Sequence, residues 1–176
     1  MPPNNRFLEG LFVIKRLWKD KKIYRFIPAV VIMIIIFAFS AMPGDESSAT
    51  SSRFLTPILN LVRDISHHEV SAVTRENIHW LIRKGAHFSE YAALGIAIMY
   101  ALMQRFSRKI SWVLISELAA AVYAMTDELH QFFTDGRYMS FMDVGIDSAG
   151  AITGILLFLL IYNKRVRRGK INDETL

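Results

Sequence analysis

The 176-residue sequence has no cysteine, which excludes a disulfide framework and any metal site built from thiolates. It also lacks three motifs that define common enzyme sites: a nucleophile elbow, a phosphate-binding glycine loop and a zinc-protease helix. Its basic residues flank apolar runs and do not alternate with aromatic residues on a polar face, so nucleic acid is not an expected partner. What remains is an apolar chain with a few concentrated groups of charge.

The apolar residues predict a membrane protein built from helices. Hydrophobic residues make up 52% of the chain, and the mean hydropathy is +0.27. Four runs are long enough to cross a bilayer, and they cover residues 26–42, 86–103, 110–130 and 141–162. The predicted fold is therefore an all-α membrane protein with four transmembrane helices and the lipid bilayer as its surroundings.

The polar and basic segments divide the chain into three regions. Residues 1–25 form a basic amphipathic segment, residues 26–162 a four-helix membrane domain, and residues 163–176 a basic tail. Within the membrane domain, residues 43–82 leave the bilayer and are predicted to form an outer loop with short interfacial helices. Thr74 is the predicted N-cap of the last of these helices, and His79 is interpreted as a surface residue.

The uneven distribution of basic residues predicts the orientation of the chain. Fifteen of the 21 lysines and arginines lie in the N-terminal segment, in the turn at 104–109 and in the C-terminal tail. Loops rich in Lys and Arg stay in the cytoplasm, so both termini are predicted to be cytoplasmic, which requires an even number of spans. The polar ends of the second, third and fourth spans then lie at the extracytoplasmic face of the cell membrane.

Ionisable side chains gather at that face although they come from three predicted helices. Asp127 and Gln131 share one helical face, and His87 and Glu90 share another. Charged groups near the end of a lipid-spanning helix are costly unless they face water or one another, so this convergence predicts a functional pocket. The polar cluster comprises His87, Glu90, Asp127, Glu128, His130, Gln131, Arg137, Asp143 and Asp147.

The sequence leaves two interpretations of this cluster open. Histidines and carboxylates at i, i+3 spacing on facing helices are the ligand types of a divalent cation site. The same pairs also form hydrogen-bond networks that simply fix helices against one another. The candidate ligands are His87, Glu90, Asp127, His130 and Asp143. No particular metal or cofactor is identified by these residues.

Several other polar residues also have more than one possible role. Arg83, Lys84 and Arg137 either bind a phosphate at the outer leaflet or extend toward the headgroup layer as ordinary interfacial residues. Glu117 lies inside an apolar stretch, where a proton relay and a structural role are both open. Tyr91 is assigned to an aromatic belt at the membrane interface.

Four separated motifs, in this order, resemble the VanZ-like family of bacterial membrane proteins. They are Arg83-Lys84-x-x-His87-Phe88-x-Glu90-Tyr91, Asp127-Glu128-x-His130-Gln131-x-Phe133, Gly136-Arg137 and Asp143-x-x-x-Asp147-x-x-Gly150. The pair Ser40 and Pro43, at the outer end of the first span, is also similar to the family pattern. The resemblance covers roughly residues 30–160 and implies a multi-pass protein of the bacterial cell membrane. One member gives the family its name through an association with resistance to the glycopeptide teicoplanin.

The expected function is binding or processing of an anionic lipid-linked or cell-envelope substrate in the outward-facing pocket. Acid–base catalysis, where it occurs, is assigned to His87, Glu90, Asp127 and His130. The expected substrate-binding residues are Arg83, Lys84, Gln131, Arg137, Asp143 and Asp147.

Two other functions remain open from the sequence. In the first, the protein is not catalytic, the polar cluster is structural, and the chain acts by binding envelope components or partners. In the second, Glu117 and the cluster belong to a proton-coupled transporter. The sequence does not decide whether the chain is an enzyme, nor its oligomeric state.

Overall fold

The computed structural model describes residues 23–67, 71–103 and 109–169, and all the regular structure in these ranges is helical. A short 3₁₀ turn, Ile23–Phe26, precedes the α-helices. These are α1 Ile27–Ser40, α2 Gly44–Ser66, α3 Ala72–Leu102, α4 Lys109–Phe132 and α5 Phe141–Arg167. The all-α prediction is confirmed. Most of the basic N-terminal segment, and the last part of the basic tail, lie outside the described residues.

Three of the described helical segments are long and apolar enough to cross a membrane. They are Ile23–Ser40, Lys109–Phe132 and Phe141–Arg167, and they correspond to the first, third and fourth predicted spans. Helix α3 contains the predicted second span, 86–103, but does not meet the same criterion. The polar residues between Arg83 and Glu90 shorten its apolar part. Four spans therefore remain a prediction.

The apolar exterior of the three candidate spans implies contact with the lipid bilayer. Ile34 on α1, Leu118 on α4 and Leu160 on α5 are 62%, 65% and 68% exposed. Exposed aliphatic side chains in such numbers are unusual for a soluble helical protein and normal for a surface that faces lipid tails.

The outer loop differs from its prediction. Helix α2 is one continuous helix of 23 residues, not a set of short ones. Helix α3 begins at Ala72 and runs for 31 residues, so the expected last interfacial helix is the first part of α3. The predicted cap, Thr74, is wrong. Ser71 is the N-cap, because its extended backbone stops the helix and its Oγ accepts a hydrogen bond from the Thr74 backbone N–H at 3.1 Å.

Glycines bring the backbones of α3 and α5 together. Gly150 and Gly154 lie four residues apart on α5, and a Cβ at either would overlap a backbone carbonyl of α3. The carbonyls belong to Phe88 and Ala92. Gly95 on α3 makes the reciprocal approach to the backbone of α5. Small residues let membrane helices pack at backbone contact. Because the hydrophobic effect does not drive helices together in lipid, van der Waals attraction at such contacts stabilises the pair.

The turn between α4 and α5 closes onto the junction between α1 and α2. Gly136 adopts a φ of 73°, in the left-handed region that glycine enters without strain. The Gly44 backbone N–H donates a hydrogen bond to the Asp135 carbonyl at 3.0 Å. A side chain at Gly44 would collide with the Gly136 carbonyl, so the two loops touch through their backbones. This contact brings the end of α1 to the polar end of the bundle.

Candidate functional site

The polar cluster lies at one end of the helix bundle, where α1 and α4 end and α5 begins. Burial there is nearly complete, although the residues are charged or polar. Asp127, Glu128 and Gln131 on α4 and Asp147 on α5 are between 1% and 3% exposed. Side chains of this kind are rarely buried unless they are paired with other groups or bind a ligand.

A chain of hydrogen bonds fixes one edge of the cluster. Ser40 Oγ donates to Asp127 Oδ2 at 2.8 Å, and Gln131 Nε2 donates to the same oxygen at 3.1 Å. The other side of the Gln131 amide, Oε1, accepts from Arg137 Nη1 at 3.1 Å. The contact with Arg137 determines which way the amide points, and therefore which group it offers to Asp127.

Arg137 also holds the end of α1. Its Nε donates to the Met42 carbonyl at 3.1 Å, and its Nη2 donates to the Phe39 carbonyl at 3.3 Å. These carbonyls belong to the last turn of α1 and the residues after it, where a helix leaves acceptors without intrahelical partners. Burial and the nearby positive charge of Arg83 lower the pKa of Arg137, but an arginine keeps its charge at neutral pH.

Three residues from three helices lie close together within the cluster. One ligand-type atom from each of His87, Asp127 and Asp147 lies within 4.8 Å of the other two. His87 Nδ1 is 3.9 Å from Asp147 Oδ1, which is too long for a direct hydrogen bond. The triad is the grouping in the described residues that has the donor types and closeness to hold a metal ion.

Two further contacts tie α5 to its neighbours. The Lys84 ammonium on α3 forms an ion pair with the Asp143 carboxylate in the first turn of α5. The Ser140 backbone N–H, at the N-cap of α5, donates to Glu128 Oε2 at 2.8 Å. Glu128 thereby caps a neighbouring helix, and a carboxylate at a helix N-terminus also interacts favourably with the helix dipole.

Several predicted residues stand apart from this triad. The His130 ring stacks on Phe37 of α1 at a centroid distance of 4.5 Å. Glu90 lies on α3 beside a cavity. One carboxylate oxygen of Glu117, Oε2, is buried without a hydrogen-bond partner among the described residues, within the predicted third span. Asp127 and His130, although three residues apart on α4, do not share a partner. Asp127 accepts hydrogen bonds from Ser40 and Gln131, whereas His130 stacks on Phe37.

Two cavities open beside the cluster. The larger, about 980 Å³, lies between α2, the first half of α3 and the segment 136–143. Its polar lining includes Arg75, Glu76, His79, Arg83, Lys84, Arg137 and Asp143, and its apolar lining includes Leu55, Leu59, Trp80 and Met142. The smaller, about 240 Å³, lies between the α1–α2 junction and α3, and His87 and Glu90 line it. Arg83 and Arg137 line both.

Two residues were assigned differently by sequence reasoning. Tyr91 was placed in an aromatic belt, but its side chain is fully buried in the bundle and its hydroxyl makes no hydrogen bond among the described residues. Tyr91 directly follows Glu90 and is four residues after His87 on the same helix. That proximity to two cluster residues is the sequence signal for its burial in the bundle. His79 was interpreted as a surface residue, but it lines the large cavity, and its Nε2 lies 3.2 Å from Ser52 Oγ.

Comparison with known proteins gives one match. A family model described as VanZ/LLP1 matches residues 26–162, a segment that contains the whole polar cluster and both cavities. No curated protein matches the chain, and no solved structure matches it.

Proposed function

Since the chain belongs to the VanZ/LLP1 family of membrane proteins, we propose that it crosses the membrane four times, with both termini in the cytoplasm. Helix α3 is about 46 Å long and packs at backbone contact with the candidate span α5, so its apolar part lies in the same layer. The excess of basic residues in both terminal segments and in the 104–109 turn supports this topology. The polar cluster then faces the outside of the cell.

The large cavity is the binding site for an anionic headgroup in this proposal. The observation that carries it is the position of Arg83, which lines both cavities close to the second cation, Arg137. Arg83 Nε is buried and makes no hydrogen bond among the described residues. Two neighbouring guanidinium groups repel each other, and a phosphate or carboxylate placed between them relieves that repulsion and satisfies the free donor.

The apolar wall of the same cavity favours a substrate that carries a lipid. Leu55 and Leu59 lie on the amphipathic helix α2, and Trp80 and Met142 complete this side. A cavity with cations on one side and aliphatic groups on the other fits a ligand with an anionic head and an apolar tail. We therefore propose a lipid-linked cell-envelope substrate, in keeping with the family's association with glycopeptide resistance.

Any acid–base chemistry in this site is assigned to Glu90 and, when its ring binds no cation, to His87. Both line the 240 Å³ cavity, which Arg83 and Arg137 join to the larger one, so they are placed to reach a bound headgroup. Asp127 is a positioning and binding group, because Ser40 and Gln131 already occupy one of its oxygens. Binding of an anionic headgroup is the function that this arrangement supports best. The same arrangement also permits acid–base catalysis on the bound headgroup.

The alternative is that the polar cluster is purely structural, and the contacts of Arg137 support it for that residue. All three of the nitrogens of its guanidinium group donate to protein acceptors in the bundle. We therefore assign Arg137 mainly to holding the site together and Arg83 mainly to binding the ligand.

Replacing Arg83 by alanine is expected to reduce the amount of anionic lipid that co-purifies with the protein in detergent. The loss of one charge-assisted contact corresponds to about a tenfold decrease in occupancy. The matched control is Arg63→Ala on α2, because Arg63 is half-exposed and pairs only with its neighbour, Asp64, among the ion pairs of the described chain. The measurement is lipid per protein by mass spectrometry. Equal anionic lipid in wild type and Arg83→Ala would contradict the proposal.

A further inference from the structure

A buried carboxylate lies between α3, α4 and α5 and has no hydrogen-bond partner in the part of the chain that the structure describes. Asp147 is 1% exposed, and neither of its carboxylate oxygens makes a hydrogen bond among the described residues. The His87 ring, which is positive only when it is protonated, lies 3.9 Å away. Lys84, a cation nearby, is already paired with Asp143. An ionised carboxylate taken out of water without partners costs several kcal/mol, so a structure that keeps one has a compensating group for it.

The second carboxylate of the triad is held in one orientation by its neighbours. Asp127 Oδ2 accepts hydrogen bonds from Ser40 and Gln131, whereas its Oδ1 is buried and accepts none among the described residues. The Gln131 amide is itself oriented by Arg137. Outer groups that bind one oxygen and leave the other free are typical of carboxylates that ligate a metal.

An independent observation points to the same place. The Tyr91 hydroxyl is fully buried, has no hydrogen-bond partner in the described part of the chain, and lies within electrostatic range of both Asp127 and Asp147. A phenol in this position can donate its proton to a metal-bound water or to a carboxylate. Three helices thus each supply a buried polar group to this part of the cluster, and Tyr91 Oη, Asp127 Oδ1 and both oxygens of Asp147 have no hydrogen-bond partner among the described residues.

We propose that His87, Asp127 and Asp147 bind one divalent transition-metal cation. A dication compensates the two buried carboxylates, and it explains why their free oxygens and the His87 nitrogen are brought together from three helices. The ligands must move closer by about 1 Å to reach the spacing of a bound zinc ion, a shift that side-chain rotation supplies.

The donor set determines the kind of metal. Calcium and magnesium prefer oxygen ligands alone, whereas an imidazole with two carboxylates suits zinc or manganese. Three protein ligands leave at least one coordination position open, as in catalytic zinc sites, and not closed, as in structural ones. His87 lines the 240 Å³ cavity, so the open position is accessible from the side where Arg83 lies. An oxygen of an anionic ligand, or a water molecule, can occupy it there.

Metal binding can fail while headgroup binding succeeds, so the test uses the metal alone. Full-length protein is purified in detergent, stripped with a chelator and titrated with Zn²⁺, and bound metal is counted by mass spectrometry. The expected result is one Zn²⁺ per chain, which excess Mg²⁺ does not displace. Asp147→Asn and His87→Gln are each expected to weaken binding by about 10- to 100-fold. Asp64→Asn, which changes an exposed carboxylate on α2, is expected to bind Zn²⁺ as the wild type does.

Two outcomes overturn the proposal. The first is the absence of stoichiometric Zn²⁺ binding by the wild type, which leaves a proton shared between Asp127 and Asp147 as the compensating group. The second is unchanged binding by the two triad variants. If Asp147→Asn does not fold, His87→Gln decides the question, because His87 is partly exposed and glutamine is an uncharged replacement for it.

Discussion

Replacing Gly154 by alanine is expected to destabilise the bundle more than any other single methyl group added to α5. The new Cβ would overlap the Ala92 carbonyl of α3, which belongs to helix backbone and cannot rotate away. The two helices must therefore separate along the glycine face. Overpacking of this kind costs about 3 kcal/mol or more, and loss of backbone contact removes the main attraction between membrane helices.

The matched control is Gly145→Ala on the same helix. A Cβ at Gly145 would meet no atom of the described residues within 4 Å, so the change keeps their contacts. Alanine is a better helix former than glycine by about 1 kcal/mol, and Gly145→Ala is expected to be neutral or slightly stabilising. Thermal unfolding in detergent and the yield of monodisperse protein measure both effects. A Gly154→Ala variant as stable as Gly145→Ala would show that α3 and α5 do not pack at backbone contact.

Replacing Arg137 by alanine is expected to lower stability by about 3 kcal/mol. The substitution leaves Gln131 Oε1 and the Met42 carbonyl without their donor, and the Phe39 carbonyl keeps only the Met42 backbone N–H. Each buried acceptor left unsatisfied costs about 1 to 3 kcal/mol. Because water reaches some of these groups once the side chain is removed, the total falls at the lower end of their sum. Gln131 also becomes free to turn, which loosens Asp127.

Arg137→Lys separates charge from geometry. A lysine keeps the positive charge but cannot reach three acceptors in different directions, so it is expected to recover only a small part of the loss. The measurements are thermal unfolding and Zn²⁺ affinity of the same preparations. Full recovery by lysine would mean that the charge of Arg137 matters and that its three hydrogen bonds do not.

The helices and their closest contact could be predicted because local patterns determine them. Gly150 and Gly154 on one helical face indicate close packing whatever the partner is, and Gly136 in a short polar turn indicates positive φ. The start of α3 was missed because Ser71 and Thr74 are both good caps. The choice depends on which residue has non-helical backbone, and in the structure that residue is Ser71.

The members of the polar cluster could be predicted, but their partners could not. Spacing shows that Asp143 and Asp147 share a face of α5, yet one pairs with Lys84 and the other lies beside His87, three residues further along α3. This division depends on the relative height of α3 and α5, which the glycine contacts fix and the sequence does not state. His130 faces Phe37 of α1 for a similar reason, since its helix turns that side toward α1.

The central claim is that the polar cluster lies at the outer face of a four-span protein, and cysteine labelling tests it most directly. The chain has no cysteine of its own, so a single introduced thiol gives an unambiguous signal. Tyr138 is 86% exposed beside the large cavity, and Arg168 is exposed at the opposite end of α5. In intact cells, a membrane-impermeant maleimide is predicted to label Tyr138→Cys and to label Arg168→Cys only after the membrane is opened. Labelling of Arg168→Cys but not Tyr138→Cys in intact cells would place the site in the cytoplasm and contradict the account.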